Sequence, residues 1–219
     1  MVKRETPVER KARARKIIRL LERAYPDARI ALTFSDPLEL LVATILSAQC
    51  TDERVNQVTP ALFKKYRTAA EWARLTPPTL EPQIRSTGFY RAKARSIIGM
   101  ANALVAEHGG EVPRDRAALT ALPGVGLKTA NVLLGNAFDE PAIAVDTHVF
   151  RVSQRLGLAK SDDPDVIHDQ LTEVLPKASW TRTTHLIQAH GRRTCVARAP
   201  RCPICPVRAL CPWPEKTRA

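Results

Sequence analysis

The stretch Leu122-Pro123-Gly124-Val125-Gly126-Leu127-Lys128-Thr129-Ala130 joins two segments whose apolar residues recur at helical spacing, 115 to 121 before it and 128 to 137 after it. In so tight a turn the two glycines can take backbone angles barred to other residues and expose backbone N–H groups. With the start of the next helix, those groups make a seat for a phosphate oxygen. A plain helix-to-helix turn uses the same residues, since Pro-Gly-x-Gly turns are common, so the pattern leaves both readings open. Lys128 falls in the first turn of the second helix, where a cation opposes the helix dipole and wants a reason to be there. Phosphate contact is one reason. Chemistry is another, because an amine whose pKa is lowered by the dipole and by partial burial can attack a sugar carbon and form a Schiff base. A solvated lysine is the third.

Outward from the hairpin, helical spacing continues through most of the chain, and alternating β-branched runs are hard to find, so the fold class is all-α. Residues 7 to 25 read as an amphipathic helix with Ile17, Ile18, Leu21 and Tyr25 on one side, and Arg13, Arg15, Lys16, Arg19 and Arg23 largely elsewhere; Pro26 ends it. Its basic face is either solvated or a supplementary DNA contact. Ser35 or Asp36 can cap a second helix with Pro37 at its first position and an apolar face of Leu38, Leu41, Val42, Ile45 and Leu46, which should be buried. Further helical patterns cover about 52 to 65, 69 to 74, 78 to 85, 91 to 107, 147 to 156, 163 to 174 and 181 to 190.

Thirty-four Lys and Arg against 22 Asp and Glu give a net charge of +12, which points to a polyanion partner. The longest apolar stretch, Leu38 to Leu46, is interrupted by Glu39 and is far shorter than the roughly 18 residues of a membrane span. No signal-peptide hydrophobic region follows the basic N-terminus, so a cytoplasmic protein is expected, with no membrane association.

After His190 the composition changes: four of the five Cys fall there among many Arg and Pro, and something other than packing must order the tail. Cys195, Cys202, Cys205 and Cys211 are spaced C-x6-C-x2-C-x5-C, close enough for four thiolates to reach one centre. Two disulfides conflict with a reducing compartment. Structural zinc usually takes two short Cys-x-x-Cys or Cys-x-x-His knuckles, whereas this spacing holds one, and an iron–sulfur cluster fits it better. Pro203, Pro206 and Pro212 each follow one of these cysteines and are expected to remove N–H groups that would otherwise bond to sulfur. Cys50 reads as a buried or half-buried small side chain. Asp146, 18 residues after Lys128, reads as the cap of a helix beginning at Thr147, or as a rigid carboxylate able to take or relay protons. His148 reads as a structural helix residue.

Taken together, the sequence closely resembles the endonuclease III family, the iron–sulfur DNA glycosylases and AP lyases of the helix-hairpin-helix superfamily. The resemblance runs over nearly the whole chain, through Leu46-Ser47-Ala48-Gln49-Cys50-Thr51-Asp52, Gly88-Phe89-Tyr90, Leu122 to Asn131, Ile143 to His148 and His190 to Cys211. It implies two helical domains: a six-helix domain at about 30–141 containing the hairpin at about 122–128, and a second domain of 1–29 and 142–219 that holds a [4Fe-4S] cluster in the 195–211 loop. DNA would lie in the groove between them.

The resemblance further implies a bifunctional glycosylase/AP lyase of base excision repair, acting as a monomer on double-stranded DNA with oxidised pyrimidines or abasic sites and associated with the nucleoid. Lys128 is then the nucleophile that attacks C1′, expels the base and forms a Schiff base, and β-elimination nicks the strand on the 3′ side. Asp146 assists. Cys195, Cys202, Cys205 and Cys211 are the cluster ligands, and the Gly124-Val125-Gly126 hairpin holds phosphate. The target nucleotide must leave the stack. Gln49 matches a residue that fills the vacated space, and Phe89 stands where the family usually carries a Leu wedge. Without the resemblance, Phe89 reads as a core aromatic. Arg198, with Arg201, would face phosphates from the cluster loop. The alternatives are a monofunctional mismatch glycosylase of the same superfamily, against which Lys128 argues, and a non-enzymatic DNA-binding module with structural zinc.

Overall fold

The computed structural model describes residues 5–217; the outermost residues of the expected domain bounds, 1–4 and 218–219, lie outside it. Among the described residues the chain forms eleven α-helices and no strand. In chain order they are α1 (Pro7–Ala24), α2 (Pro37–Ser47), α3 (Asp52–Lys65), α4 (Ala69–Ala73), α5 (Pro77–Ile84), α6 (Tyr90–Glu107), α7 (Arg116–Ala121), α8 (Leu127–Ala137), α9 (Thr147–Arg155), α10 (Pro164–Val174) and α11 (Trp180–Arg193). Among the described residues no helix is long and apolar enough to cross a membrane.

The helices fall into two compact units, Ala31–Glu140 and Met1–Ile30 with Pro141–Ala219. The first unit holds α2 to α8, seven helices rather than six, because the five-residue α4 is a helix in its own right, closed by a capping box between Thr68 and Glu71. Its centre is α2. Asp36, not Ser35, accepts the Glu39 amide hydrogen bond that starts this helix, with Pro37 behind it. A single apolar face does not describe α2: every residue from Leu40 to Leu46 is buried, while Leu38 is only half-buried. The helix packs against α3, α6 and α8 at once, and a helix enclosed that way needs apolar residues all round.

In the other unit, α1 starts on a capping box between Thr6 and Glu9 and buries Ala14, Ile17, Ile18 and Leu21. Those side chains pack with Val149 and Val152 of α9, Leu171 of α10 and Leu186 of α11. Arg15, Lys16, Arg19 and Arg23 are exposed, but Arg13 is not a solvated residue: its guanidinium donates to the carbonyls of Leu156, Gly157 and Leu210 and pairs with Glu5. Helix α11 runs to Arg193, three residues past the expected end. Gly191 in this last turn lets α9 pack closely, since the Cβ and Nδ1 of His148 both lie 3.1 Å from where a side chain at 191 would begin.

Candidate functional site

The hairpin is a tightly packed turn. Leu122 and Val125 are buried, and the Val125 amide donates to the Leu122 carbonyl, closing the loop between α7 and α8. Gly124 has φ +78°, and a Cβ there would stand 2.6 Å from the Ser96 Cβ on α6, so both conformation and space demand glycine. Gly126 is different. Its φ of −95° suits any residue, and a Cβ there would meet nothing within 4 Å. The expectation that both glycines use barred angles therefore holds for Gly124 alone. Gly126 is the N-cap of α8 and has no side chain to satisfy the first amides, which leaves that helix start open to an anion. Lys128 follows at the second helical position and is exposed, so the partial burial envisaged from its sequence position is absent.

A cavity of about 250 Å³ in the same unit is lined by Gln49, Phe89, Lys93, Ser96, Gly124 and Thr129, among others. Gln49 (φ 52°) and Phe89 (φ 46°) are two of the three described non-glycine residues in left-handed backbone, the third being Asp139. Each such residue costs on the order of 1–2 kcal/mol, so the surrounding structure must hold it there. Both are exposed, Phe89 at 65%, which overturns its reading as a core aromatic. Phe89 is instead the N-cap of α6, presented to solvent on a strained turn after Gly88.

Lys93, which the motif reading passed over, is 4% exposed. Its Nζ donates to the carbonyls of Leu46 (2.8 Å) and Thr87 (2.7 Å), and burial pushes its ammonium below the ordinary lysine range. The signal was present in the sequence: Ile97, Met100, Ala101 and Leu104 define the buried face of α6, and Lys93 is a charge on that face.

In the other unit Asp146 is the N-cap of α9. Its Oδ1 accepts from the Val149 amide at 2.7 Å and its Oδ2 from the Gln188 side-chain amide at 3.1 Å, so both carboxylate oxygens are held. His148 is half-buried, its Nδ1 3.3 Å from the Arg151 guanidinium; burial pushes its pKa down although Asp146 pulls the other way. Lys128 and Asp146 belong to different units; Asp146 is held by Val149 and Gln188, whereas Lys128 is exposed.

The four tail cysteines line a small cavity of about 20 Å³ together with Arg155, His190 and Trp213, and none is in a disulfide. Cys202 is buried and the others half-buried. Among the described residues no three His, Cys, Asp or Glu are gathered tightly enough to hold a single metal ion. Donors surround the sulfurs. Arg155 Nη1 lies 3.5 Å from Cys195 Sγ and His190 Nε2 3.7 Å from Cys205 Sγ. Prolines 206 and 212 remove the adjacent N–H groups as expected, yet the next residue supplies one in each case, Val207 to Cys205 and Trp213 to Cys211. Burial is the main cause that raises the thiol pKa values of Cys205 and Cys211, and the neighbouring cysteines add to it. Thiolates here therefore require a positive centre between them. His190, held by burial at about 4, stays neutral, with its Nδ1 2.9 Å from the Tyr25 hydroxyl. Arg198 is exposed on the loop between Cys195 and Cys202; Arg201 is exposed and lines the cavity.

Comparison with known proteins places this arrangement. Residues 42–177 match the family described as HhH-GPD superfamily base excision DNA repair protein. The chain is 48% identical over 204 residues to endonuclease III of Synechocystis sp., with 93% of each chain covered. It is 43% identical over 206 residues to endonuclease III of Escherichia coli K12, covering 94% of this chain and 98% of the relative. Among solved structures, a trapped endonuclease III–DNA covalent intermediate in an estranged-adenine complex superposes with a TM-score of 0.88 at 47% identity, covering 92% of this chain and 95% of that one. The hairpin, the helix cap at Asp146 and the cysteine tail thus sit in a chain that belongs to the HhH-GPD superfamily of base excision DNA repair proteins, within its endonuclease III family.

Proposed function

We propose that this protein is a bifunctional DNA glycosylase and AP lyase that excises oxidised pyrimidines from duplex DNA and cleaves abasic sites. The observation that carries the reading is Lys128, exposed on the first turn of α8 directly after a hairpin whose helix start has no side-chain cap. Phosphate oxygens are bound at the Gly124-Val125-Gly126 hairpin by the amides of Gly124 and Gly126, the Val125 amide being engaged by the Leu122 carbonyl, and the amine of Lys128 is set beside them. It attacks C1′ of an extruded nucleotide: the N–C1′ bond forms, the glycosidic bond breaks, and the base leaves with the bonding pair. Loss of the amine proton and opening of the sugar give a Schiff base. A proton then leaves C2′, the C3′–O bond breaks, and the strand is nicked on the 3′ side. Asp146 is the assisting carboxylate, its two oxygens oriented by Val149 and Gln188.

Gln49 and Phe89 are proposed to enter the duplex where the nucleotide has left, and Arg198 to contact a phosphate. The Ala31–Glu140 unit is read as the helix-hairpin-helix domain and the other as the cluster domain. The donor set suits a [4Fe-4S] cluster on Cys195, Cys202, Cys205 and Cys211: four thiols line one cavity with Arg155, Arg201, Arg208 and Lys216 and no carboxylate, the all-cysteine ligand set such a cluster takes. Bound there, the cluster supplies a fourfold cross-link between segments of the tail. The protein is proposed to act as a monomer, in the cytoplasm at the nucleoid. Relatives at 43% and 48% identity carry the endonuclease III name, and neither the mismatch glycosylase nor the zinc module is favoured.

Borohydride trapping on duplex DNA carrying thymine glycol or an abasic site tests the reading. Wild type is expected to give a covalent adduct, and Lys128→Gln to bind the same DNA with no adduct, no base release and no nick. An iron-loaded, DNA-binding wild type that gives no adduct would remove the lyase chemistry.

A further inference from the structure

Among the described residues, Lys93 is the one Lys or Arg in the buried set, and no carboxylate pairs with it; Cys50 is its titratable neighbour. Burying an ammonium without a counter-charge is costly, so its hydrogen bonds show what it is kept for. One goes to the carbonyl of Leu46, at the end of α2, where an unpaired carbonyl and the negative end of the helix dipole both favour a cation. From there the chain turns through Ser47 and Ala48 to Gln49. The other goes to the carbonyl of Thr87, two residues before Phe89. The backbone amide of Lys93 also donates to the carbonyl of Phe89 itself. The Lys93 ammonium therefore grips the turn before Phe89 and the Gln49 turn at its base, while its amide bond to Phe89 is the first intrahelical bond of α6 and does not depend on the side chain. Those two residues are strained, exposed and on the rim of one cavity. A single hydroxyl or amide N–H could tie down one loop; an ammonium with three donors can tie both.

We propose that Lys93 is a positioning residue that locks the Gln49 and Phe89 loops to one another, so that both side chains meet the DNA as one preset wedge. The proposal rests on the reading of Gln49 and Phe89 as the residues that enter the duplex. It assigns lesion selectivity to a residue that touches no DNA: the ordering cost of two loops is met in the free protein rather than on binding.

The quantity to measure is the ratio of affinities for a duplex with a tetrahydrofuran abasic analogue and for the same duplex undamaged. Lys93→Met keeps the apolar stem and removes all three donors. In protein that still melts cooperatively it is expected to lower the ratio about tenfold or more, and to add nothing in a Gln49→Ala/Phe89→Ala background. A folded Lys93→Met with the wild-type ratio, or one whose effect persists in full in that background, overturns the proposal. The single alanine variants at 49 and 89 separate the two levels: if neither lowers the ratio, the wedge reading fails first and the proposal falls with it. Lys93→Gln, which keeps two N–H donors on a shorter, uncharged side chain, repeats the test in a milder form. Should neither variant fold, amide exchange in the wild type decides, because loops pinned by one ammonium open together. A common opening free energy for 47–50 and 88–90 supports the lock, and independent opening overturns it.

Discussion

At the scale of single residues, the hairpin separates two glycines that look alike in the sequence. Gly124 is held by its own fold: φ is +78° and Ser96 closes the space a Cβ would need. Gly124→Ala is expected to cost roughly 2–4 kcal/mol in urea unfolding, the sum of a left-handed alanine and an overpacked contact. Gly126 has neither constraint, so Gly126→Ala is expected to leave stability within about 0.5 kcal/mol. If the absent side chain at 126 exists to let a phosphate approach, this variant loses DNA affinity while keeping its unfolding midpoint. Unchanged affinity would place the phosphate elsewhere. Lys128 stands on the same logic, since its exposure leaves it free of any packing duty within its helix.

At the scale of elements, α9 begins on a cap, Asp146, that is also the carboxylate proposed to assist Lys128. Asp146 starts the helix through Val149, and asparagine caps about as well as aspartate. Asp146→Asn is therefore expected to melt within a few degrees of wild type, and to lose most single-turnover base release, because the amide keeps the cap and loses the base. Wild-type turnover would reduce Asp146 to its structural role. Caps of this kind made much of the fold legible: Asp36 with Pro37, Asp146 and the apolar spacing of α1 were readable because they act within a few residues of chain. What was not legible depended on neighbours distant in sequence. Enclosure of α2 on all sides follows from α3, α6 and α8 meeting around it. Exposure of Phe89 follows from a left-handed turn that no propensity favours. Lys93 marked itself as a charge on an apolar face, but the carbonyls it serves, Leu46 and Thr87, are fixed only once α2 and α6 are packed. The motifs singled out Lys128, Asp146 and the cysteines as candidates; the packing gives Lys93, Arg13 and Gln188 their contacts.

At the scale of the whole molecule, the charge of +12 is not all surface charge available to DNA. In the unit containing the tail, several arginines are spent on backbone carbonyls. Arg13 reaches Leu210, Arg151 reaches Gly191 and Cys195, and Arg155 reaches Val196 and Ala197 while stacking on Trp213 at 4.3 Å. These contacts hold the tail where it has little core of its own: past Cys195, Pro200, Cys202 and Val207 are the buried apolar residues among those described, and Thr217 closes the loop by bonding Pro200 and Cys202. Arginine-to-carbonyl bonds at a partly exposed site add only about 1 kcal/mol each and cannot replace a core. A fourfold thiolate cross-link would supply what is missing, by removing the freedom of the loops between the cysteines. Removing iron by chelation should accordingly raise tryptic cleavage after Arg198, Arg201 and Arg208 by about tenfold or more, with peptides from Ala31–Glu140 released at the holoprotein rate. Equal protection of the tail with and without iron would mean that the arginines and Val207 suffice, and that the four cysteines serve the cluster rather than the cluster serving the fold.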